Sequence, residues 1–415
     1  MKRRPSRKHS RSERRPILAG NRAVVGIDIG KRKHAATAVS PQGEVIARLA
    51  SFPNTREGVD LLERKVLRKV GGPRRTLVAM EATGHYWMCL YHELVRRGYR
   101  CVVLNPVQTH ASFRARIRKT TTDKIDSLGI ARFILTGNAK ATRVPDEKTT
   151  ELRLLVRHRR RLLQARTDME RYAGTLVDRV FPEYEGLFSK PFLPSARAMV
   201  REIGIAPEEI ASRKDEVRDT LHRASRGRIA PEKVDLLLER AKRSIGSRQA
   251  ESLATEQLRS VFDYTETIQR QIGEIEEQLE SRIEEMDSPL LSLGINPALA
   301  ATIHAETDPI TDFPGPDQYV AYTGLDPSVH ESGDTIRGRS KISKRGSPVL
   351  RSALYLTAFS VYRKHDYFHR SYQKHRRQGR SHTSALVVVA HRLARVVWRL
   401  LTDNRKFTKR PPKRP

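Results

Sequence analysis

Four acidic residues, Asp28, Glu81, Asp123 and Asp126, stand in local settings that suit metal-assisted phosphoryl chemistry. Asp28 closes the apolar run AVVGID and precedes Ile29-Gly30, while Glu81 closes TLVAME and meets the abrupt turn Ala82-Thr83-Gly84. An acid at the C-terminal end of a buried strand projects from the sheet edge, where α/β sites form. Asp123 and Asp126 lie at i and i+3 of an expected helix, so both face one way. Hard cations such as Mg2+ want oxygen ligands, and two of them can clamp a phosphodiester for in-line displacement. Singly, each acid has a structural explanation: Asp28 and Glu81 as turn caps, Asp123 as an N-cap after Thr120-Thr121-Thr122. Together they point to a magnesium site formed by Asp28, Glu81, Asp123 and Asp126.

These acids stand out against the rest of the chain. Its 415 residues carry 79 Lys and Arg against 47 Asp and Glu, a formal net charge of +32. Such a surface favours nucleic acid, with binding that falls steeply as salt rises. No apolar run approaches the roughly 20 residues that span a bilayer. The opening MKRRPSRKHSRSERRP lacks the apolar stretch of a signal peptide. The expectation is a soluble cytoplasmic protein with no membrane partner, associated with the nucleoid when acting. Two cysteines, Cys89 and Cys101, are too few for an all-cysteine zinc site or a disulfide scaffold.

The elements that must position the acids follow from periodicity. Residues 1–22 form a basic arm expected to be disordered, and 404–415 a basic tail. Residues 23–145 read as α/β. AVVGID, AATAVS and EVIARLASF are strands at hairpin spacing, with Pro41-Gln42-Gly43 as a turn. A helix capped by Asn54 or Thr55 follows, carrying Leu61, Leu62, Val66 and Leu67 on one face. Then come the strand TLVAME, a helix through Tyr91, Leu94 and Val95, and the strand CVVLNP. Three hairpin-linked strands, then two separated by helices, is the element order of a ribonuclease-H-like fold.

Residues 146–287 become helical. Leu155, Leu162, Met169 and Leu176 recur every seven residues, and Leu258, Phe262, Ile268, Ile272, Ile275, Leu279, Ile283 and Met286 form a second stripe. The expectation is two long helices able to form an antiparallel or intermolecular coiled coil. The first carries His158-Arg159-Arg160-Arg161; the second is rich in Glu, so opposite charge is available to set their pairing. Residues 288–403 form a second, mostly helical compact domain. It opens with a turn-rich stretch, YVAYTGLDPSVHESGDTIRGRSKISKRG. One helix then begins at Ser347-Pro348, and another runs from about Thr383 to Leu401.

The segments GIDIGKRKHAATAV, AMEATGHYW, VVLNPVQTHAS and KTTTDKIDSLGIARF closely resemble the N-terminal domain of insertion-sequence-110 family transposases. These DEDD recombinases, also described as bridge-RNA-guided, are similar to Piv-type DNA invertases. YVAYTGLDPSVHESG and KISKRGSPVLRSALYLTA resemble the family's second, transposase-specific domain. The resemblance runs from Val24 to about Leu401. It implies a RuvC-like first domain whose magnesium ligands match Asp28, Glu81, Asp123 and Asp126. It also implies a serine nucleophile in a Glu-Ser-Gly-like motif, matched here by Ser332. The implied chemistry is cleavage and rejoining of double-stranded DNA at element ends and target, through a covalent phosphoserine. The implied partners are a noncoding bridge RNA and further copies of the chain, as a dimer or tetramer with a site shared between protomers. One departure concerns the turn before the second domain. Leu291-Ser292-Leu293-Gly294-Ile295-Asn296 ends on Asn296, a residue that tolerates left-handed geometry.

A serine hydroxyl needs a base, a metal or both before it attacks phosphorus. Ser332 lies in an expected loop beside Glu331 and Gly333, with Arg337, Arg339, Lys341, Lys344 and Arg345 following as phosphate-holding candidates. Tyr319 and Tyr322 are rival nucleophiles, though their apolar setting suits core packing. Arg114, Arg116, Arg118 and Lys119 form a basic strip before Asp123 that suits a nucleic-acid strand. His365, Asp366 and His369 have zinc-like spacing, against which the surrounding Arg and Lys argue. Alternatives remain: a RuvC-like nuclease or junction resolvase using water, or a catalytically inactive nucleic-acid-binding relative. Gly26-Ile27-Asp28-Ile29-Gly30 also resembles the first phosphate loop of actin-like sugar kinases, but the remaining loops of that fold do not follow.

Overall fold

A computed structural model describes residues 17, 19–106, 108, 109, 123–188, 193–328, 341–344 and 346–408, with the backbone alone for 123–125, 327, 328 and 341. The chain divides into two compact units, one running to Asp146 and including Thr311–Pro314, the other built from Glu147–Ile310 and Gly315 onward.

The first unit is a mixed sheet covered on both faces. Its strands are β1 (Ala23–Ile29), β2 (Lys33–Val39), β3 (Val45–Pro53), β4 (Thr76–Glu81), β5 (Arg100–Leu104) and the short β6 (Ala141–Thr142). Their order is β3-β2-β1-β4-β5-β6. The β1–β2 and β2–β3 pairs are antiparallel, and β1–β4 and β4–β5 are parallel. The β2–β3 turn closes with Gly43 N–H donating to Ser40 O at 2.9 Å, and Gly43 takes φ +90°. Helix α1 (Arg56–Leu62) is capped by Thr55, whose Oγ1 accepts from Gly58 N–H at 3.3 Å. Its apolar face runs on through Val66 and Leu67 in a wider helical turn.

Alternation along the strands divides the core in two. Val25, Ile27, Val78 and Met80 face Leu62 and Leu67, together with Leu90 and Leu94 of α2 (Trp87–Arg96). Val24, Leu77, Ala79 and Leu104 face Ile130, Ala131 and Ile134 of α3 (Asp123–Leu135). This is a ribonuclease-H-like arrangement, followed by a mostly helical remainder.

In the second unit, α4 (Glu147–Val180) and α9 (Glu251–Glu285) are the longest elements. Arg159 Nε donates to Glu276 Oε1 at 2.7 Å, Arg166 reaches Gln269, and Tyr172 OH donates to Gln257 Oε1 at 3.1 Å. Partner numbers fall as α4 advances, so the pair is antiparallel. Among the described residues, Arg159 alone of its basic cluster pairs with an acid of α9.

The heptad stripe of α4 needs correction. Leu155, Leu162 and Met169 are only half-buried, whereas Leu152 and Val156 at one end and Ala173, Leu176, Val177 and Val180 at the other are buried. Only the ends of α4 are enclosed on several sides. Its C-terminal end shares a core with α5 (Pro194–Glu202), α7 (Lys214–Ser225), α8 (Pro231–Lys242) and the start of α9; α6 (Pro207–Ser212) adds Ile210. Its N-terminal end packs on α10 (Pro297–Thr307).

Asn296 is not left-handed. It sits at φ −57° and caps α10, its Oδ1 accepting from Ala298 N–H at 2.9 Å and Leu299 N–H at 3.3 Å. Gly294 takes the left-handed position at φ +62°. The stretch read as turn-rich begins instead with a helix, α11 (Pro316–Thr323). Further on, β7 (Pro327–Ser328) and β8 (Lys341–Ile342) pair in a short antiparallel ladder. Then follow α12 (Pro348–Lys364), α13 (Asp366–Arg377) and α14 (His382–Asp403). Ser347 caps α12 through Leu350 N–H at 3.3 Å. Helix α13 has a mainly polar and basic sequence and was not anticipated. Its Phe368 and Ser371 are buried. No helix among the described residues is long and apolar enough to cross a membrane.

Candidate active site

The parallel pairing of β1 with β4 positions the first two acids. The register joins Ala23 to Thr76 and Ile27 to Met80; one residue further on, it sets Asp28 beside Glu81. Neighbouring strands lie about 4.8 Å apart, so two carboxylates share one sheet edge. Both residues are half-buried. Alternation puts Asp28 on the side of Val24, and Glu81 on the side of Leu77 and Ala79, the face covered by α3. Local turns hold both ends. Ala82 N–H donates to Leu104 O at 2.9 Å, and Trp87 Nε1 donates to Gly84 O at 3.2 Å. Beyond Asp28, Gly30 N–H donates to Nδ1 of the buried His34 at 3.3 Å.

Helix α3 brings the third acid to this face. Ser127 Oγ hydrogen-bonds Thr37 Oγ1 of β2 at 2.8 Å, a buried contact. Gly26 lets the helix lie directly on β1, because a Cβ there would collide with the Ser127 carbonyl oxygen and the Ala131 nitrogen. Leu135, at the far end of α3, lies 3.8 Å from the Cβ position at the Gly43 turn, beside the start of β1. The first turn of α3, with Asp126 half-buried in it, therefore points toward the Asp28 end of β1. Asp123 opens the same helix, and its side chain lies outside the described residues.

Oxygen is the donor at all these positions, which suits a hard divalent cation. Magnesium commonly takes one or two carboxylates and completes its shell with water and substrate phosphate. An open edge with Asp28 beside Glu81 fits that demand. Among the described residues, no three His, Cys, Asp or Glu side chains are close enough to form a closed metal cage.

The remaining candidates belong to other segments. Arg114, Arg116, Arg118, Lys119, Ser332, Arg337, Arg339 and Arg345 lie outside the described residues, as does the side chain of Lys341. Lys344 is exposed at φ +55°, and its N–H donates to Gly324 O at 3.1 Å. Tyr319 is fully buried, its hydroxyl 2.7 Å from Thr307 Oγ1, and burial pushes its phenol pKa upward. A group enclosed in this way is a poor nucleophile for a DNA strand. Tyr322 OH donates to Glu306 O at 3.3 Å. His365 Nε2 lies 2.9 Å from Leu293 O, and His369 Nδ1 lies 3.2 Å from Tyr362 O.

One polar junction was missed. Glu306 is 3 % exposed within the apolar helix α10. Its Oε1 accepts from Arg157 Nε and its Oε2 from Ser347 Oγ, both at 2.9 Å. The hydrogen bond to Glu306 raises the Arg157 pKa. Arg153 continues the tie, with Nε to Ala305 O and Nη2 to Asp308 O, each 2.6 Å. The signal was one acid in the run PALAATIHAET.

A ribonuclease-H-like sheet with an acidic edge suits a nucleic-acid enzyme. Sequence comparison gives the family. A profile described as a transposase, the DEDD type of IS110, matches residues 25–182, and a second, for transposases of the IS116/IS110/IS902 family, matches 290–373. An uncharacterized 44.8 kDa protein of insertion element IS116 from Streptomyces clavuligerus is 24% identical over 94% of this chain and 98% of its own length. A pilin gene-inverting protein from Moraxella bovis is 20% identical over 94% of this chain and 99% of its own. An insertion element IS110 protein from Streptomyces coelicolor is 28% identical over 30% of this chain and 31% of its own. The chain belongs to the IS110 family of transposases, enzymes of DNA recombination.

Proposed function

We propose that this transposase cuts and rejoins double-stranded DNA through a covalent serine intermediate, with Asp28, Glu81, Asp123 and Asp126 as its metal-binding carboxylates. The observation that carries the metal half is the placement of Asp28 beside Glu81 on adjoining parallel strands. Mg2+, when bound there, would supply positive charge against the phosphate oxygens. The nucleophile in this reading is Ser332 Oγ. It bonds to phosphorus, its proton passes to a base, and the phosphorus–oxygen bond to the departing deoxyribose breaks. A sugar hydroxyl of the second strand then attacks the phosphoserine, restoring the serine and joining the strands. The relative named as a pilin gene-inverting protein fits this chemistry, since inverting a gene requires strands to be cut and rejoined.

The same reading includes a noncoding bridge RNA and a homo-oligomer. The long helices α4 and α9 pair with each other inside one chain, which leaves their outer faces for a second copy. The deciding experiment compares the parent with Ser332→Ala on DNA carrying element ends, with the element's noncoding RNA present. The parent forms a covalent protein–DNA adduct and joins strands, and the variant does neither. Metal-dependent cutting that survives in the variant, with no adduct in the parent, would replace this reading with a water-using nuclease.

A further inference from the structure

We propose that the exposed junction of α12, α13 and α14 is a docking face for an unpaired DNA strand, with bases stacking on the Phe359–Arg363 pair and phosphates running along α13. The Arg363 guanidinium lies 4.1 Å above the Phe359 ring centroid. Its Nε donates to Tyr362 OH at 3.1 Å, which helps fix the plane of the group. Among the described residues, no acidic side chain pairs with it, and Phe359 remains 39 % exposed. A flat, unneutralised guanidinium backed by an aromatic ring is a stacking platform for a base. More rings support it from below. The Tyr362 and Tyr372 rings meet at a tilt of 36° with centroids 4.5 Å apart, and Tyr372 OH lies 2.6 Å from His382 Nδ1.

The adjoining face of α13 forms an open groove lined by His369, Arg370, Gln373, Lys374, Arg377 and Gln378. Asp366 reaches Arg370 only at 4.0 Å, and no acid among the described residues pairs with Lys374 or Arg377. His369 joins groove to platform through the Tyr362 carbonyl, 3.2 Å away. Cations in the groove can neutralise phosphates of any strand, but stacking requires a base face that a duplex hides. That combination selects an unpaired strand. The choice of DNA rests on membership of a transposase family.

The test measures binding by the full chain without divalent ion, so its result is independent of strand transfer. The probes are labelled oligo(dT) and a DNA duplex of equal length, with oligo(rU) as competitor. Phe359→Ala should weaken oligo(dT) binding by about 5-fold or more while leaving duplex binding unchanged. Phe359→Trp should keep the parental affinity. Changing Arg370, Lys374 and Arg377 to Gln together should flatten the salt dependence by about 2 logarithmic units per decade. Because all these residues lie on the surface, circular dichroism should match the parent throughout. Equal weakening of single strand and duplex by Phe359→Ala, or no weakening of either, would overturn the proposal. So would displacement of oligo(dT) by much lower concentrations of oligo(rU), which would assign the face to RNA.

Discussion

Gly26 of β1 lies directly beneath the Ser127 carbonyl of α3, with no room between them for a side chain. The contact seats the helix that carries Asp126 on the strand that carries Asp28. Adding a single methyl group there must push helix and strand apart. Gly26→Ala should therefore lower stability by about 2 kcal/mol or more in urea unfolding. It should also reduce strand transfer beyond what the lost folded fraction explains. Parental stability in this variant would refute the close seating of α3.

The neighbouring positions of Asp28 and Glu81 lead to an isosteric test. Asp28→Asn and Glu81→Gln retain shape and some hydrogen bonding but remove the negative charge a cation needs. Each should depress metal-dependent strand transfer by about 100-fold or more. DNA binding should persist, because the chain is strongly cationic and each change removes a negative charge. Full activity in both variants would exclude these acids from the metal site.

In the Arg157–Glu306 pair, the two partners are unequally buried. Arg157 is 57% exposed in its side chain and Glu306 3%. Loss of Arg157 strands a carboxylate inside the protein, whereas Arg157 left alone can turn to water. Arg157→Ala should thus cost about 3 kcal/mol and Glu306→Gln nearer about 1 kcal/mol. Denaturant titration of both variants checks the order. The reverse order would mean that the Glu306 charge, not its desolvation, governs the site.

His34 supplies a pH dependence. Burial lowers its pKa below the ordinary 6.5, and the nearby Asn54 side chain opposes part of that shift. The unfolded chain therefore takes up this proton at higher pH than the folded one. Across that interval the unfolded state binds more protons, so stability falls as pH drops from about 6.5 toward the folded pKa. The folded protein also needs the ring neutral, because Nδ1 accepts from Gly30 N–H. His34→Gln should be less stable at neutral pH but show a flatter decline of melting temperature on acidification. The residual slope comes partly from His391 and His375, whose pKa values burial also lowers. An unchanged slope in the variant would remove His34 as its source.

Much of the fold was legible because its signals are local. Continuous apolar runs define β1, β4 and β5. The Thr55 and Ser347 caps mark helix starts through their own backbone contacts. The buried stripe of α9 followed its periodicity almost throughout. Where local pattern met tertiary surroundings, it failed. The Leu155, Leu162 and Met169 stripe repeats perfectly yet is half-buried, because burial depends on what other elements enclose the middle of α4. Asn296 suits a left-handed turn by type, but the start of α10 uses it as a cap.

The sequence by itself determined which residues are candidates for chemistry, which family the chain resembles, and where many strands and helices begin. Those properties depend on residue type and short spacing. Tertiary structure alone decided that Asp28 falls beside Glu81, since a parallel register joins positions 53 apart in the chain through hydrogen bonds no local pattern encodes. It also decided that Gly26 serves α3, and that Glu306 is buried against Arg157 and Ser347. Each is a contact between distant segments, set by how faces of fixed shape and polarity pack.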